Sequence, residues 1–285
     1  MKKLFVFTMA LCGLMLFSTS CKDKKFKGFD QTKDGLYYKF TAKYPDARAP
    51  QKGDYLFLTV SFRTDNDSLV FEEREVLDML QDPIYPGDLN DAYGMMHEGE
   101  EAVFALKADT FMHYAGYPEI PSFVNENTMV FFTIKMNKIR TEEEIDAEKE
   151  EEIKQYMQKH ELQGEPTESG LYYIEKEAGK GNTLVAGDSV SILYTFRLAN
   201  DSIFDSSEGK SPLYCIVGQM FSGLNEGLSK MKRGGKATLI MPYKIAFGVQ
   251  NPYVPVPPFA TIVADIEVLP KIVRQAPAPV PVVMD

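Results

Sequence analysis

Few residues of this chain have the type and spacing to make or break bonds. The three histidines, His97, His113 and His160, lack metal-ligand spacing with cysteine or carboxylate partners. No glycine-rich phosphate loop occurs. Cys215 sits in an apolar strand context, where a thiol is inert core rather than a nucleophile. Asp205 lies between Phe204 and Ser206-Ser207. Taken alone, an Asp beside two serines is a turn residue, and a Phe on a strand is core. Any chemistry must therefore come from the spacing of a larger set, and from the elements that hold it.

Those elements are legible in the second half of the chain. Val190, Ile192, Tyr194, Phe196 and Leu198 alternate with mostly polar residues, as in a strand with one buried face. Lys236 to Met241 reads as another strand, entered from a turn at Gly234-Gly235 and stopped by Pro242. Ile262, Ala264, Ile266 and Val268 alternate with Asp265 and Glu267 in a last strand. Leu224, Leu228 and Met231 have helical spacing, with Gly234 following as a stop. One short amphipathic helix among several antiparallel strands predicts an α+β fold, a curved sheet wrapped around the helix.

The chain also repeats itself. Gly35-Leu36-Tyr37-Tyr38 recurs as Gly170-Leu171-Tyr172-Tyr173, Gly53-Asp54 as Gly187-Asp188, and Phe62-Arg63 as Phe196-Arg197. Asn66-Asp67-Ser68 recurs as Asn200-Asp201-Ser202, and Leu89-Asn90 as Leu224-Asn225, all at offsets of 134 or 135 residues. An offset held over so many positions indicates two copies of one domain. Residues 34–140 and 168–272 are the expected copies. Between them, residues 141–167 are rich in Glu and Lys, and Thr141 with Glu144 is a capping-box signature. Ile145, Ile153, Tyr156 and Met157 give only a sparse stripe, so a solvated helical linker is expected. A dimerising coiled coil would need sustained heptads, which are absent. Residues 273–285 alternate Pro with Ala and Val and read as an extended tail.

In the second copy a specific family pattern runs in order. It comprises Ser169-Gly170-Leu171-Tyr172-Tyr173, Gly187-Asp188-Ser189-Val190, Tyr194-Thr195 and Phe204-Asp205-Ser206-Ser207. Gly223-Leu224-Asn225-Glu226-Gly227-Leu228 and Met231-Lys232-Arg233-Gly234-Gly235 follow. Ala246-Phe247-Gly248, Pro257-Pro258-Phe259-Ala260-Thr261 and Asp265-Ile266-Glu267-Val268-Leu269 complete it. In this order the residues resemble the FKBP-type peptidyl-prolyl isomerases, and the chain resembles a bacterial protein with tandem FKBP-like domains. The resemblance implies rotation about X-Pro bonds by a dry apolar pocket, with no nucleophile, metal or cofactor. It implies Tyr194, Phe204 and Asp205 as the catalytic set. Leu213, Met220, Phe221, Leu224, Phe247 and Val256 would line the pocket, with the backbone at Met220-Phe221 gripping the substrate. Leu224 replaces the family's usual Trp floor, Phe247 a Tyr, and Ala264 a Phe. These changes imply reduced activity and weak affinity for tacrolimus-like macrolides. The first copy has Val60 at the position of Tyr194 and Phe71-Glu72 for Phe204-Asp205. It reads as a degenerate, non-catalytic copy for binding or spacing. A chaperone or scaffold that holds extended polypeptides is the alternative reading for the whole.

The formal charge of −10 argues against a nucleic-acid partner, since no basic excess is available to neutralise phosphates. Residues 1–20 have a signal-peptide pattern: Lys2-Lys3, an apolar run from Leu4 to Phe17, then Ser18-Thr19-Ser20 before Cys21. This resembles a bacterial lipoprotein signal, which implies acylation of Cys21, a short tether over residues 21–33 and a hold on a membrane. An ordinary secreted protein is the other reading. Lys22 after the cysteine implies the outer membrane of the cell envelope, and the expected clients are X-Pro-containing polypeptides being exported.

Overall fold

A computed structural model describes residues 24–270 of the chain. The signal segment, Cys21 and the Pro-rich tail lie outside the described residues. Two compact units are present. The first comprises the chain up to Lys52 and Leu56–Ile139; the second comprises Gly53–Tyr55 and the chain from Arg140 onward.

The first unit contains β1 (Asp30–Gln31), β2 (Tyr37–Ala42), β3 (Tyr55–Thr64), β4 (Val70–Met79), α1 (Leu89–Gly94), β5 (Glu101–Lys107), α2 (Ala108–Tyr114) and β6 (Met129–Arg140). Its sheet has the order β1-β2-β5-β6-β3-β4. The second unit begins with α3 (Glu142–Lys159), followed by β7 (Tyr172–Glu177), β8 (Lys180–Thr183), β9 (Ser189–Leu198), β10 (Ile203–Ser206) and β11 (Leu213–Ile216). It closes with α4 (Ser222–Lys230), β12 (Lys232–Arg233), β13 (Lys236–Met241) and β14 (Ile262–Val268). Its main sheet has the order β10-β9-β14-β13-β7, with β11 also on β9, and its pairings are antiparallel. Read from the other end, this is the path β2-β5-β6-β3-β4 of the first unit. The repeated sequence therefore builds the same strand order twice.

The repeats also build the same turns. Asp67 and Asp201 both take a left-handed conformation, at φ 53° and 69°. In both copies the preceding Asn accepts the amide of the Ser two residues on, Asn66 from Ser68 at 3.1 Å and Asn200 from Ser202 at 3.0 Å. Such a turn joins β3 to β4 and β9 to β10 with fixed register.

The concave face of the second sheet closes on α4. Leu224 and Leu228 of that helix are fully buried with Val190, Ile192, Leu239, Ile262 and Ala264. Two glycines set the separation. A Cβ on Gly227 would stand 2.3 Å from Leu239 Cδ1, and one on Gly223 would stand 2.9 Å from the Ile245 carbonyl oxygen. The helix lies nearer the sheet than any larger residue at these positions allows.

The outer face is covered as well, which departs from the expected solvated linker. Thr141 caps α3 through a complete capping box with Glu144. Ile145, Ile153 and Tyr156 are all buried. Ile153 and Tyr156 pack on Ile240 of β13 and Val263 of β14, flanked by Tyr172 and Ile174 of β7. Polar contacts fix the helix further: Thr261 donates to Glu152 at 2.8 Å, and Tyr243 to Asp146 at 3.0 Å. Lys244 bridges Asp146 and Glu142. The sparse stripe suffices because Ile153 and Tyr156 are large and meet a sheet face that is itself apolar. The charged residues occupy the rest of the surface.

Candidate active site

The site is built along β9. One edge of β9 is paired with β14 from Ile192 to Leu198. The other carries β10 at its C-terminal end and β11 at its N-terminal end. Between Ile203 and Asp205 the β10 register slips, so that Ile203 faces Arg197 and Asp205 faces Phe196. Phe204 is the extra residue of this β-bulge. Strict alternation would send Phe204 and Asp205 to opposite faces; a bulge re-aims a side chain, and here Phe204 joins the inner apolar cluster while Asp205 meets Tyr194.

The Tyr194 hydroxyl donates to Asp205 Oδ2 at 2.9 Å. Asp205 Oδ1 accepts the Ser206 amide at 2.8 Å and Lys210 Nζ at 3.1 Å. Partial burial works against the charged carboxylate, but the hydrogen bonds from Tyr194, Lys210 and the Ser206 amide outweigh it and hold Asp205 below its ordinary value. Burial and the adjacent carboxylate both push the Tyr194 phenol up. The pair is thus ionised acid and neutral phenol across the neutral range. Ser207 pins the backbone beneath it, accepting the Tyr194 amide at 2.8 Å and donating its own amide to the Tyr194 carbonyl at 2.9 Å.

Apolar residues from six segments gather around this pair. Tyr194, Phe204, Leu213, Met220, Phe221, Phe247 and Val256 are all half-buried and pack on the core of the second unit. Leu224 belongs to the same cluster but is fully buried, so it backs the wall instead of presenting a surface. Phe204 and Phe247 meet edge to face with centroids 6.1 Å apart, and Phe221 and Phe247 lie 5.0 Å apart. The Met220 backbone is fixed by Asn225, whose side chain accepts the Met220 amide at 3.1 Å and donates to the Met220 carbonyl. The Phe221 amide, at the cap of α4, has no acceptor among the described residues.

Two residues of this arrangement carried no signal of their own in the sequence. Phe196 looks like one more apolar position of an alternating strand. In the structure its ring touches Tyr194 at 4.7 Å and both Phe204 and Phe221 at 6.1 Å, which makes it the common neighbour of the set. Lys210 lies five residues after Asp205, and only the turn following the bulge brings it back to the carboxylate. Among the described residues no group of three or more His, Cys, Asp or Glu could hold a metal ion. Cys215 is buried, and burial pushes its thiol up.

The matching positions of the first unit are arranged differently. Val60 is buried and offers no hydroxyl, and Glu72 is exposed. Phe62 and Phe71 stack at 4.7 Å with 6° between their planes, and Phe62 and Phe111 each lie 4.9 Å from Phe132. Arg74 covers Phe71 at 3.8 Å. The rings close on one another, and Val60 with exposed Glu72 cannot form the acid–phenol pair that Tyr194 and Asp205 make.

Residues 180–269 match the family described as FKBP-type peptidyl-prolyl cis-trans isomerase. A probable FKBP-type peptidyl-prolyl cis-trans isomerase of Haemophilus influenzae is 38% identical over 36% of this chain, and the match spans 43% of that relative's length. An FK506-binding protein of Neisseria meningitidis is 35% identical over 35% of this chain and 94% of its own length. The crystal structure of FkpA from Escherichia coli is 31% identical, covers 45% of this chain and 61% of that chain, and superposes with a TM-score of 0.39. With 94% of the Neisseria relative matched at 35% identity, the chain belongs to the FKBP-type peptidyl-prolyl cis-trans isomerases.

Proposed function

We propose that the second unit catalyses cis–trans isomerisation of X-Pro bonds. The observation that carries this is the Tyr194–Asp205 hydrogen bond beside half-buried Phe204, Phe221 and Phe247. Rotation about the bond faces a barrier of roughly 18–20 kcal/mol because the planar amide is resonance-stabilised. Resonance and its charge separation are lost as the amide twists, so a dry apolar wall favours the twisted form over the planar one. Each tenfold in rate needs about 1.4 kcal/mol of this preference, counted only where it is stronger for the twisted form.

The parts take the following roles. The prolyl ring packs among Phe204, Phe221 and Phe247, closed in by Met220, Leu213 and Val256. The Phe221 amide donates to a substrate carbonyl and fixes which bond sits at the wall. Asp205 is already engaged by three donors, so its role is to hold Tyr194 and the bulge that carries Phe204, with its carboxylate facing the rotating carbonyl. No bond is made or broken, and no proton moves.

The substrates would be proline-containing polypeptides at the cell envelope, held there through acylated Cys21 in the outer membrane. The support for this location is the sequence of residues 1–22 alone. The first unit would serve as a non-catalytic partner domain, supported by Val60, by exposed Glu72 and by the closed ring cluster.

A protease-free cis–trans assay on an X-Pro peptide tests the enzymatic reading. Catalysis should be measurable, and Phe204→Ala and Asp205→Ala should each lower kcat/KM. A rate equal to the uncatalysed background would favour the chaperone or scaffold reading instead. Mass spectrometry of the mature N-terminus tests the anchor: a diacylglyceryl adduct on Cys21 is expected, and an unmodified terminus at another residue would refute it.

A further inference from the structure

The duplicated chain contains an internal comparison that bears on what fills the pocket. In the second unit the residue directly opposite Phe196 across β9 and β14 is Ala264. In the first unit Phe62 matches Phe196 by the sequence repeat. Phe132 matches Ala264 by register, because it faces Phe104 across β5 and β6 as Ala264 faces Leu239 across β13 and β14. One copy thus has two rings at this pair, and the other has one ring and a methyl group. Directly opposed residues of an antiparallel pair share a face with Cβ atoms about 4.5–5.5 Å apart, so their volumes compete for the same space.

The ring spacings differ accordingly. With Phe132 in place, Phe62 stacks on Phe71 at 4.7 Å. With Ala264 in place, Phe196 and Phe204 are also nearly parallel, at 13°, but stand 6.1 Å apart. Phe196 is 6% exposed and touches three rings of the candidate site, while Leu224 of the same cluster is fully buried. The ring that forms the bottom of the site is therefore Phe196.

We propose that Phe196 and Ala264 act as a size-complementary pair that sets the depth of the prolyl pocket. Phe196 is its floor and a specificity-determining contact, and the side-chain volume absent at Ala264 is what leaves room for a five-membered prolyl ring. This rests on the isomerase reading for its substrate. It adds that a compact ring is admitted and that a second aromatic at the pair shuts the site, as in the first unit.

The test is a ring exchange in the full chain, with two readouts: kcat/KM for an X-Pro peptide, and calorimetric affinity for a non-turning-over prolyl peptide. Ala264→Phe should lower both by about tenfold or more, since small volume changes in an apolar pocket discriminate on that scale. The double variant Phe196→Ala/Ala264→Phe, which restores one ring to the pair, should recover most of the loss. Reactivity of Cys215 toward a thiol reagent without denaturant reports whether the unit remains folded. Should Ala264→Phe expose Cys215, the graded variants Ala264→Val and Ala264→Leu replace it, and affinity should fall in order of side-chain volume. Unchanged kcat/KM and affinity in Ala264→Phe, or a double variant no better than the single, would overturn the pairing. A wild-type chain that binds the peptide without isomerising it would refute the isomerase reading alone, and the pairing would still stand or fall on the affinities.

Discussion

Replacing Gly227 by Ala sets two effects of opposite sign against each other. Gly227 lies inside α4, where Ala is favoured by about 1 kcal/mol on helix propensity. Its new Cβ would stand 2.3 Å from Leu239 Cδ1 and 2.8 Å from Cδ2. A flexible side-chain end can often move aside, but Leu239 is fully buried between the helix and the sheet. Extra methyl groups in a filled core cost about 1–3 kcal/mol, and an approach this short belongs near the top of that range. A net destabilisation of about 1–2 kcal/mol follows. The assay should report on the second unit alone, because a two-unit chain does not unfold as one transition. Cys215 supplies it, being the free cysteine among the described residues and buried in this unit. Its labelling midpoint in urea should fall by about 0.5–1 M. Leu239→Val removes both clashing atoms, so the double variant Gly227→Ala/Leu239→Val should be more stable than the summed single effects by about 1 kcal/mol or more. A midpoint for Gly227→Ala equal to or above the parent would show that the helix can back away from the sheet, and the packing argument would fail.

Two other expectations are simpler. Asp205 is held below its ordinary value, so its contribution to stability is present above the unfolded-state value near 3.8 and is lost as pH falls through the lower folded value. With Tyr194 raised above 10.0, kcat/KM should be flat from about pH 5 to 9 and fall only in acid and in strong alkali; an inflection near pH 6 or 7 would contradict the assignment of Asp205 and Tyr194 as the titrating pair. Ile153→Ala should destabilise the second unit by about 2–5 kcal/mol, the usual cost of truncating a fully packed Ile. The Cys215 midpoint reads this too, and an unchanged value would mean that α3 is an appendage.

The residues that were legible in advance share a property: their neighbours in space are near in sequence or fixed by the family pattern. Phe204 and Asp205 are adjacent, and Tyr194 lies one hairpin away, so the strand-turn-strand unit alone brings them together. The bulge that turns both inward leaves no mark of its own, since the extra residue is the Phe itself. The role of Phe196 depends on Ala264, which is distant in sequence, and no reading of either residue alone shows that one ring's volume is missing at the pair. The packing of helix α3 leaves little mark in its own sequence for a related reason. Its own hydrophobic stripe is thin, and judged alone it suits solvent. The signal lay in the strands instead. Ile240 and Val263 interrupt the alternation of β13 and β14 by placing large apolar groups on the outer face, where they stand directly opposite each other. Two such residues, flanked by Tyr172 and Ile174, form an apolar patch that a solvated sheet face would not keep bare. An outer face that breaks alternation at paired positions requires a cover. In this chain the segment entering the second unit provides one, with Ile153 and Tyr156 fully packed against the patch. Helix α3 is therefore part of the fold of the second unit, and that unit cut at residue 168 would expose the Ile240–Val263 pair to water.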